Sequence, residues 1–317
     1  MKYQDVNKYT MNNYEINMIL VPVDFSTLAN NAIQTAVAMS KRQLATITLM
    51  YVIENTYVLF PPEASAATGA LLPQLVKDAN ENLGNLAKEL RVKHDIVVNH
   101  IVQAGNPADE ICRWALHKKM DLIVMGTHGA SGLREFFMGS NAYRVVKNAP
   151  CPVLTLPGNN QWLDFKKILF PVRMVAHALD KYEVVRPIIR KNGSSLLVAG
   201  VVKKSDPASL FEMKELVDSV RRQISEDDVI CGSELHYCED PAKQVLHIAE
   251  HAKPDLIVIT ATLDRTVKDF FLGPYTQDIV NHAQFPVLSI KPEYKVKGSS
   301  ALKILMEQLP VQHAALA

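Results

Sequence analysis

The chain has 317 residues, 48% of them hydrophobic and 21% charged, with a formal net charge of +1. That length suits two globular domains of roughly 150 residues, with material for two cores. The near-neutral balance excludes a global field that would draw the chain to nucleic acid or to an anionic membrane.

No stretch approaches the ~20 continuous apolar residues of a membrane helix, and the run Met18 to Val23 is too short for a signal-peptide core. The cysteines Cys112, Cys151, Cys231 and Cys238 form neither a C-x2-C pair nor a disulfide framework, so a reduced, cytoplasmic protein is expected. In chain order, residues 1–16 read as a loose polar leader. Met18 to Val23 reads as a strand closed by Pro22-Val23-Asp24-Phe25-Ser26. Ser26 or Thr27 then caps a helix through Ala32, Ala36, Val37 and Met39. Ala45 to Ile53 is a second strand, rich in β-branched residues. Asn55 to Gly69, with Pro61-Pro62 and a run of small residues, reads as a long loop, and Leu71 to about Lys93 as an amphipathic helix. Asp95 to Val102 is a third strand, and Gly105-Asn106-Pro107 opens a helix through Ile111, Trp114 and Ala115.

The stretch from Asp121 to Leu156 organises the rest. Leu122 to Met125 reads as a buried parallel strand, broken at Gly126, Gly129 and Gly132. Gly139-Ser140 opens a helix through Ala142, Val145 and Val146, and Pro150-Cys151-Pro152 ends it before a last strand, Val153 to Leu156. Glycines at 126 and 129 let backbone approach a ligand, and the free amides at the start of a helix favour an anion. The pattern predicts a nucleotide phosphate site. Strands alternating with helices predict a parallel, doubly wound α/β sheet.

The spacing G-x2-G-x9-G-S, as Gly126, Gly129, Gly139 and Ser140, resembles the ATP-binding signature of the universal stress protein family. Met125, His128, Arg144, Val145 and the PCPVL ending are similar to that family too. The resemblance implies two tandem open-sheet α/β domains, Rossmann-like and adenine nucleotide alpha hydrolase-like, each with a five-stranded parallel sheet. It implies ATP, or AMP or ADP, as ligand, with Mg as an accompanying ion. The positions that match the family's nucleotide contacts are Pro22, Val23, Asp24, Val52, Met125, Gly126, His128, Gly129, Gly139, Ser140, Asn141 and Ala142. Asp24 either meets the nucleotide or a metal ion, or caps the following helix. Val52 is a wall for the base. His128 reads as a contact to phosphate or solvent rather than a catalytic base.

After a linker at residues 158–165 the pattern begins again. Lys167 to Val172 parallels Met18 to Val23, and Asp255 to Thr260 parallels Asp121 to Gly126. From Asn106 against Asp240 onward the halves keep an offset of 134 residues, with Phe136-Phe137-Met138-Gly139 falling on Phe270-Phe271-Leu272-Gly273. Earlier, Asp24 falls on Arg173 at an offset of 149, the difference fitting the longer loop in the first half. This is a tandem duplication. The expected domains are residues 1–157, with the motif intact, and 166–292, with it degenerate, followed by a C-terminal extension, 293–317, in which Ser299 to Gln308 is compatible with a short helix. In the second half Thr260 replaces Gly126, Leu263 replaces Gly129, Pro274 replaces Ser140 and Arg173 replaces Asp24. That half either binds nothing, which the losses favour, or uses Arg173 for a different anion. The apolar last strands, Pro152 to Leu156 and Pro286 to Ile290, are expected to pair the halves as an intramolecular pseudo-dimer, with a homodimer as a further option.

Rival chemistries find less support. No Gly-x4-Gly-Lys-Ser/Thr run exists, so catalysed phosphoryl transfer lacks its usual lysine. The glycines follow the fourth strand rather than the first, which excludes a dinucleotide fingerprint. Cys231, His236, Cys238 and His247 match no standard zinc spacing. The expected function is an adenine-nucleotide-binding stress-response regulator with an unidentified protein client, not an enzyme beyond slow ATP hydrolysis. A ligand-free scaffold of the same fold is the remaining alternative.

Overall fold

A computed structural model describes residues 14–54, 62–127, 138–158, 160–175, 178–204, 209–264 and 271–291, the side chains of 62–71, 263, 264 and 271 excepted. The first half runs β1 (Met18–Pro22), α1 (Thr27–Gln43), β2 (Thr46–Glu54), α2 (Pro62–His94), β3 (Val98–Gly105), α3 (Pro107–His117), β4 (Leu122–Gly126), α4 (Ser140–Asn148) and β5 (Val153–Leu156). The second repeats it as β6 (Lys167–Val172), α5 (Lys181–Asn192), β7 (Ser195–Lys203), α6 (Ser209–Ser225), β8 (Cys231–Cys238), α7 (Pro241–Ala252) and β9 (Leu256–Thr260). A small hairpin, β10 (Leu263–Asp264) with β11 (Phe271–Leu272), then leads to α8 (Pro274–His282) and β12 (Val287–Ile290).

The strands of both halves form one ten-stranded sheet, ordered β3-β2-β1-β4-β5-β12-β9-β6-β7-β8. Each half contributes five parallel strands, and the halves meet where β5 pairs antiparallel with β12. In that seam Leu154 lies opposite Leu288, Thr155 opposite Val287 and Val153 opposite Ser289. Leu154 and Leu288 are the same position of the repeat, so a pseudo-twofold axis passes between them. The expected pseudo-dimer is therefore present, closed through the last strands.

Side chains alternate across each strand, and the two cores are divided by the sheet rather than by the halves. Ile19, Leu122, Val124, Leu154, Ile168, Leu256 and Leu288 pack on one face beneath α1, α2, α5 and α6. Leu20, Ile123, Met125, Val153, Leu169, Ile257 and Val287 pack on the other beneath α3, α4, α7 and α8. Each core spans both halves. One carboxylate is used identically in both halves. Asp121 Oδ2 accepts from Asn17 N (2.9 Å) and Met18 N (2.8 Å), tying β1 to the start of β4. Asp255 Oδ2 accepts from Lys166 N (2.9 Å) and Lys167 N (2.8 Å) in the same way.

Two expectations are corrected. Residues 62–69, read as loop, belong to α2, whose axis continues back across Pro73 to Pro62. The run Ala64, Ala66, Ala67 and Ala70 has the strongest intrinsic helix preference, and Pro62 suits a first helical position. The leader is not loose at its end, because Ile16 is buried and the Tyr14 hydroxyl donates to Asp121 O. The linker is itself packed: Phe165 is fully buried and Trp162 meets the ring of Phe285 edge-on. Residues 55–61 of the expected loop and the region of Ser299 to Gln308 lie outside the described residues.

Candidate functional site

A crevice of about 450 Å3 opens at the carboxyl ends of β1, β2 and β4. This is where ligands sit in open α/β sheets, at the reversal of strand order. Of the residues expected from the sequence, Pro22, Val23, Asp24, Val52, Met125, Gly126, Gly139, Ser140, Asn141 and Ala142 all line it. His128 and Gly129 lie outside the described residues. These ten residues come from four separate stretches of chain that converge on one cavity.

Local hydrogen bonds set its shape. Val23 N donates to Met50 O (2.8 Å), carrying the chain past the end of β1 alongside β2. Asp24 Oδ1 accepts from Ser26 N (3.0 Å) and Ser26 Oγ (2.5 Å), and Ser26 Oγ in turn accepts from Ala29 N (3.1 Å). Ser26 is therefore the α1 cap, and Asp24 supports it while its exposed carboxylate stays at the crevice. On the opposite wall Thr127 N donates to Leu156 O (3.1 Å), and Gly139 N donates to Thr127 O (2.8 Å), closing the base of the glycine loop. The α4 N-terminus begins at Gly139 with no side-chain cap, leaving its first-turn amides for an anion.

Sequence reasoning missed Glu54, Tyr51, Met50, Thr127, Pro107 and Ile111 as lining residues. Period-two alternation from Val52 reaches Met50 and Glu54 on the same face of β2, a signal that would have found them. Glu54 matters most. Among the described residues Asp24 and Glu54 are the carboxylates on the wall, and no lysine, arginine or histidine lines it. A polyphosphate there relies on backbone amides and on a counter-cation. Two carboxylates are hard oxygen donors that suit Mg held jointly with phosphate oxygens, whereas among the described residues no group of three or more His, Cys, Asp and Glu side chains could hold a metal by itself. Cys231, His236, Cys238 and His247 accordingly form no such group. Cys238 is buried with its thiol toward Val202 O, and His236 Nε2 meets Glu234 Oε2 at 2.9 Å.

The crevice is built partly by the other half. Met138 N donates to Asn281 Oδ1 (3.2 Å) from α8. At the matching position of the repeat, Leu272 N donates to the Tyr143 hydroxyl (3.3 Å) from α4. Each chain segment entering a crevice helix is thus anchored across the pseudo-twofold axis.

The second half has a crevice of about 410 Å3 at the carboxyl ends of β6, β7 and β9, lined by Arg173, Thr262, Gly273, Pro274 and Tyr275 among others. Pro274 occupies the first position of α8, removing one amide. Arg173 lies 3.5 Å above the centre of the Tyr275 ring. Behind it Lys181, 2% exposed, donates from Nζ to Pro171 O and to Val258 O (3.1 Å), where the first half has Ala32. Burial first, and the charge of Arg173 second, push the Lys181 pKa well below its ordinary value.

Comparison with known proteins places the whole chain. The sequence model of the universal stress protein family matches residues 15–157 and again 165–291. The universal stress protein MJ0531 of Methanocaldococcus jannaschii is 33% identical over 158 residues, 49% of this chain and 91% of that protein. Universal stress protein YxiE of Bacillus subtilis is 31% identical over 147 residues, 44% of this chain and 97% of its own. The crystal structure of a universal stress protein from Archaeoglobus fulgidus shares the fold with a TM-score of 0.70, covering 88% of this chain and 100% of that one at 19% identity.

Proposed function

The chain belongs to the universal stress protein family, and from that premise we propose that it is a regulatory protein binding one adenine nucleotide, in the crevice of its first half. The observation that carries the reading is the convergence of ten of the twelve expected contact residues on one cavity beside an uncapped helix N-terminus. Gly126 and Gly139 let the phosphates approach backbone, Asp24 and Glu54 hold the accompanying Mg, and Val52 and Met125 wall the base. The second crevice has lost the glycine at 126 and the hydroxyl and amide at 140, so it does not take this ligand. ATP is the first candidate, with ADP and AMP as alternatives.

The reading is regulatory because the crevice offers a phosphate cradle without the groups that move phosphoryl. No lysine or arginine faces it among the described residues, and electrostatic stabilisation of the transferring group is the largest catalytic contribution. Hydrolysis is slow or absent; turnover above roughly one per second, within the usual enzyme range, overturns this. No described helix is long and apolar enough to cross a membrane, and the four free cysteines suit a reduced cytoplasmic setting. The deciding experiment is calorimetric titration of the full chain with Mg and ATP. One site per chain is expected, abolished by Gly129→Val in a protein that remains folded. Two equivalent sites, or full affinity in that variant, refute the assignment.

A further inference from the structure

The second crevice is more than a decayed copy of the first. β1 pairs with β2 from Met18 opposite Thr46, and β6 with β7 from Lys167 opposite Ser195, so the two strand pairs share one register at an offset of 149. Arg173 therefore stands where Asp24 stands, and Lys203 where Glu54 stands. Both carboxylates of the first crevice are replaced by cations at matched places. Random decay of a site would not select that double reversal.

Arg173 is half-buried, and among the described residues it pairs with no carboxylate. Its guanidinium rests on the Tyr275 ring and reaches Thr262 Oγ1 at 3.5 Å. A guanidinium carries five N–H donors in a planar fork that suits carboxylate or phosphate, more than Thr262 and Tyr275 can occupy. Burial pushes its pKa down, the cost of holding a desolvated cation without a counter-ion. Lys203 is exposed at the end of β7. Three carboxylates also line the crevice, and two of them have partners of their own. Glu239 lies 3.6 Å from Lys204. Asp240 caps α7 by accepting from Ala242 N (2.9 Å) and Lys243 N (3.2 Å). Asp278 lies on α8.

We propose that the second crevice binds a small organic anion, a carboxylate or a phosphate monoester, through Arg173 and Lys203. The ligand is not a nucleotide polyphosphate, because Pro274 and Thr260 have removed the cradle for one. The proposal does not rest on nucleotide binding in the first half, since the site uses none of those residues.

The test is amide-resolved NMR of the isotope-labelled full chain without nucleotide, titrated at constant ionic strength with inorganic phosphate and, separately, with succinate. The amides of Thr262, Gly273 and Tyr275 are expected to shift and saturate with at least one of them. The tighter of the two distinguishes phosphate from carboxylate recognition. Arg173→Gln and Lys203→Gln should each weaken binding by about tenfold, the scale of one lost charge-assisted hydrogen bond. Lys203 is exposed, so its variant keeps the test valid if Arg173→Gln fails to fold. Absence of a saturable shift at these amides with both anions, shifts confined to Gly126 and Gly139, or shifts insensitive to both substitutions overturn the proposal.

Discussion

The hydrogen bond from Met138 N to Asn281 Oδ1 gives the sharpest test of how the halves cooperate. Met138 is buried and immediately precedes Gly139, whose own amide is bound to Thr127 O and which opens the uncapped helix proposed to meet the phosphates. Asn281→Ala removes an acceptor that belongs to the other half and touches no lining residue. A neutral hydrogen bond is worth about 0.5–1.5 kcal/mol net. If that energy is expressed in the placement of Gly139 and Ser140, affinity for ATP falls about two- to twelvefold. The matching bond, Leu272 N to the Tyr143 hydroxyl, supplies the control. Tyr143→Phe should lower stability by a similar amount, on the order of 1 kcal/mol, while leaving ATP affinity within error, because that bond anchors the second crevice. Calorimetric titration gives affinity and thermal denaturation gives stability for the same three proteins. Equal losses of affinity in both variants would mean general loosening, and unchanged affinity in Asn281→Ala would mean the anchor does not shape the site.

The remaining expectations are more compact. Lys181, buried with a pKa well below normal, binds fewer protons folded than unfolded, so its contribution to stability rises with pH towards the unfolded lysine value of about 10.4. Lys181→Met should accordingly reduce the gain in melting temperature between neutral pH and pH ~9.5, and an identical pH profile in the variant would contradict the assignment. Residues 1–157 expressed alone should self-associate through β5, whose edge is paired by β12 in the full chain. A monomer with rapid amide exchange at Val153 to Leu156 would show that the seam is not a free-standing pairing edge.

Much of this molecule was legible in its sequence, and the limits have physical causes. Leu122 to Met125 and Leu256 to Ile259 read as buried strands because parallel strands are covered on both faces. Ser26, Asn106 and Asp240 announce their helices because a side-chain oxygen at that place satisfies a free amide. Of the ten expected residues that line the crevice, Gly126, Gly139 and Ser140 were legible as glycine and serine at fixed spacing, and the others followed from the family resemblance. Glu54 was missed because it lies in sequence far from Asp24, and only the placement of β2 beside β1 brings the two together. Its replacement by Lys203 was hidden for the same reason, although the offset that pairs Asp24 with Arg173 also pairs these. The start of α2 was misread because Pro61-Pro62 signals a loop locally, while the alanines that follow favour helix. Lys181 gave no signal at all: a lysine on a helix is ordinarily solvated, and only the fold carries this one between β6 and β9.

One short helix touches both crevices. α8 carries Tyr275 in its first turn, under Arg173 in the second crevice, and Asn281 in its last turn, holding Met138 at the edge of the first. Nine residues at 1.5 Å each make it about 13 Å long, and a helix of that length moves as a unit. The antiparallel seam causes this arrangement, since it turns the halves end for end and sets the start of each crevice helix beside the end of the other. An anion seated on Arg173 would load the Tyr275 ring beneath it, and a shift of the first turn of α8 would reach Asn281 through the helix. Thermodynamic linkage then requires the effect to be mutual. ATP affinity should therefore differ with and without a saturating occupant of the second crevice, and the affinity for that occupant should change by the same factor with ATP present. Asn281→Ala should abolish the coupling while leaving the second crevice able to bind. Equal ATP affinities in both conditions would make the halves independent neighbours on one sheet, and the anchor from α8 a matter of packing alone.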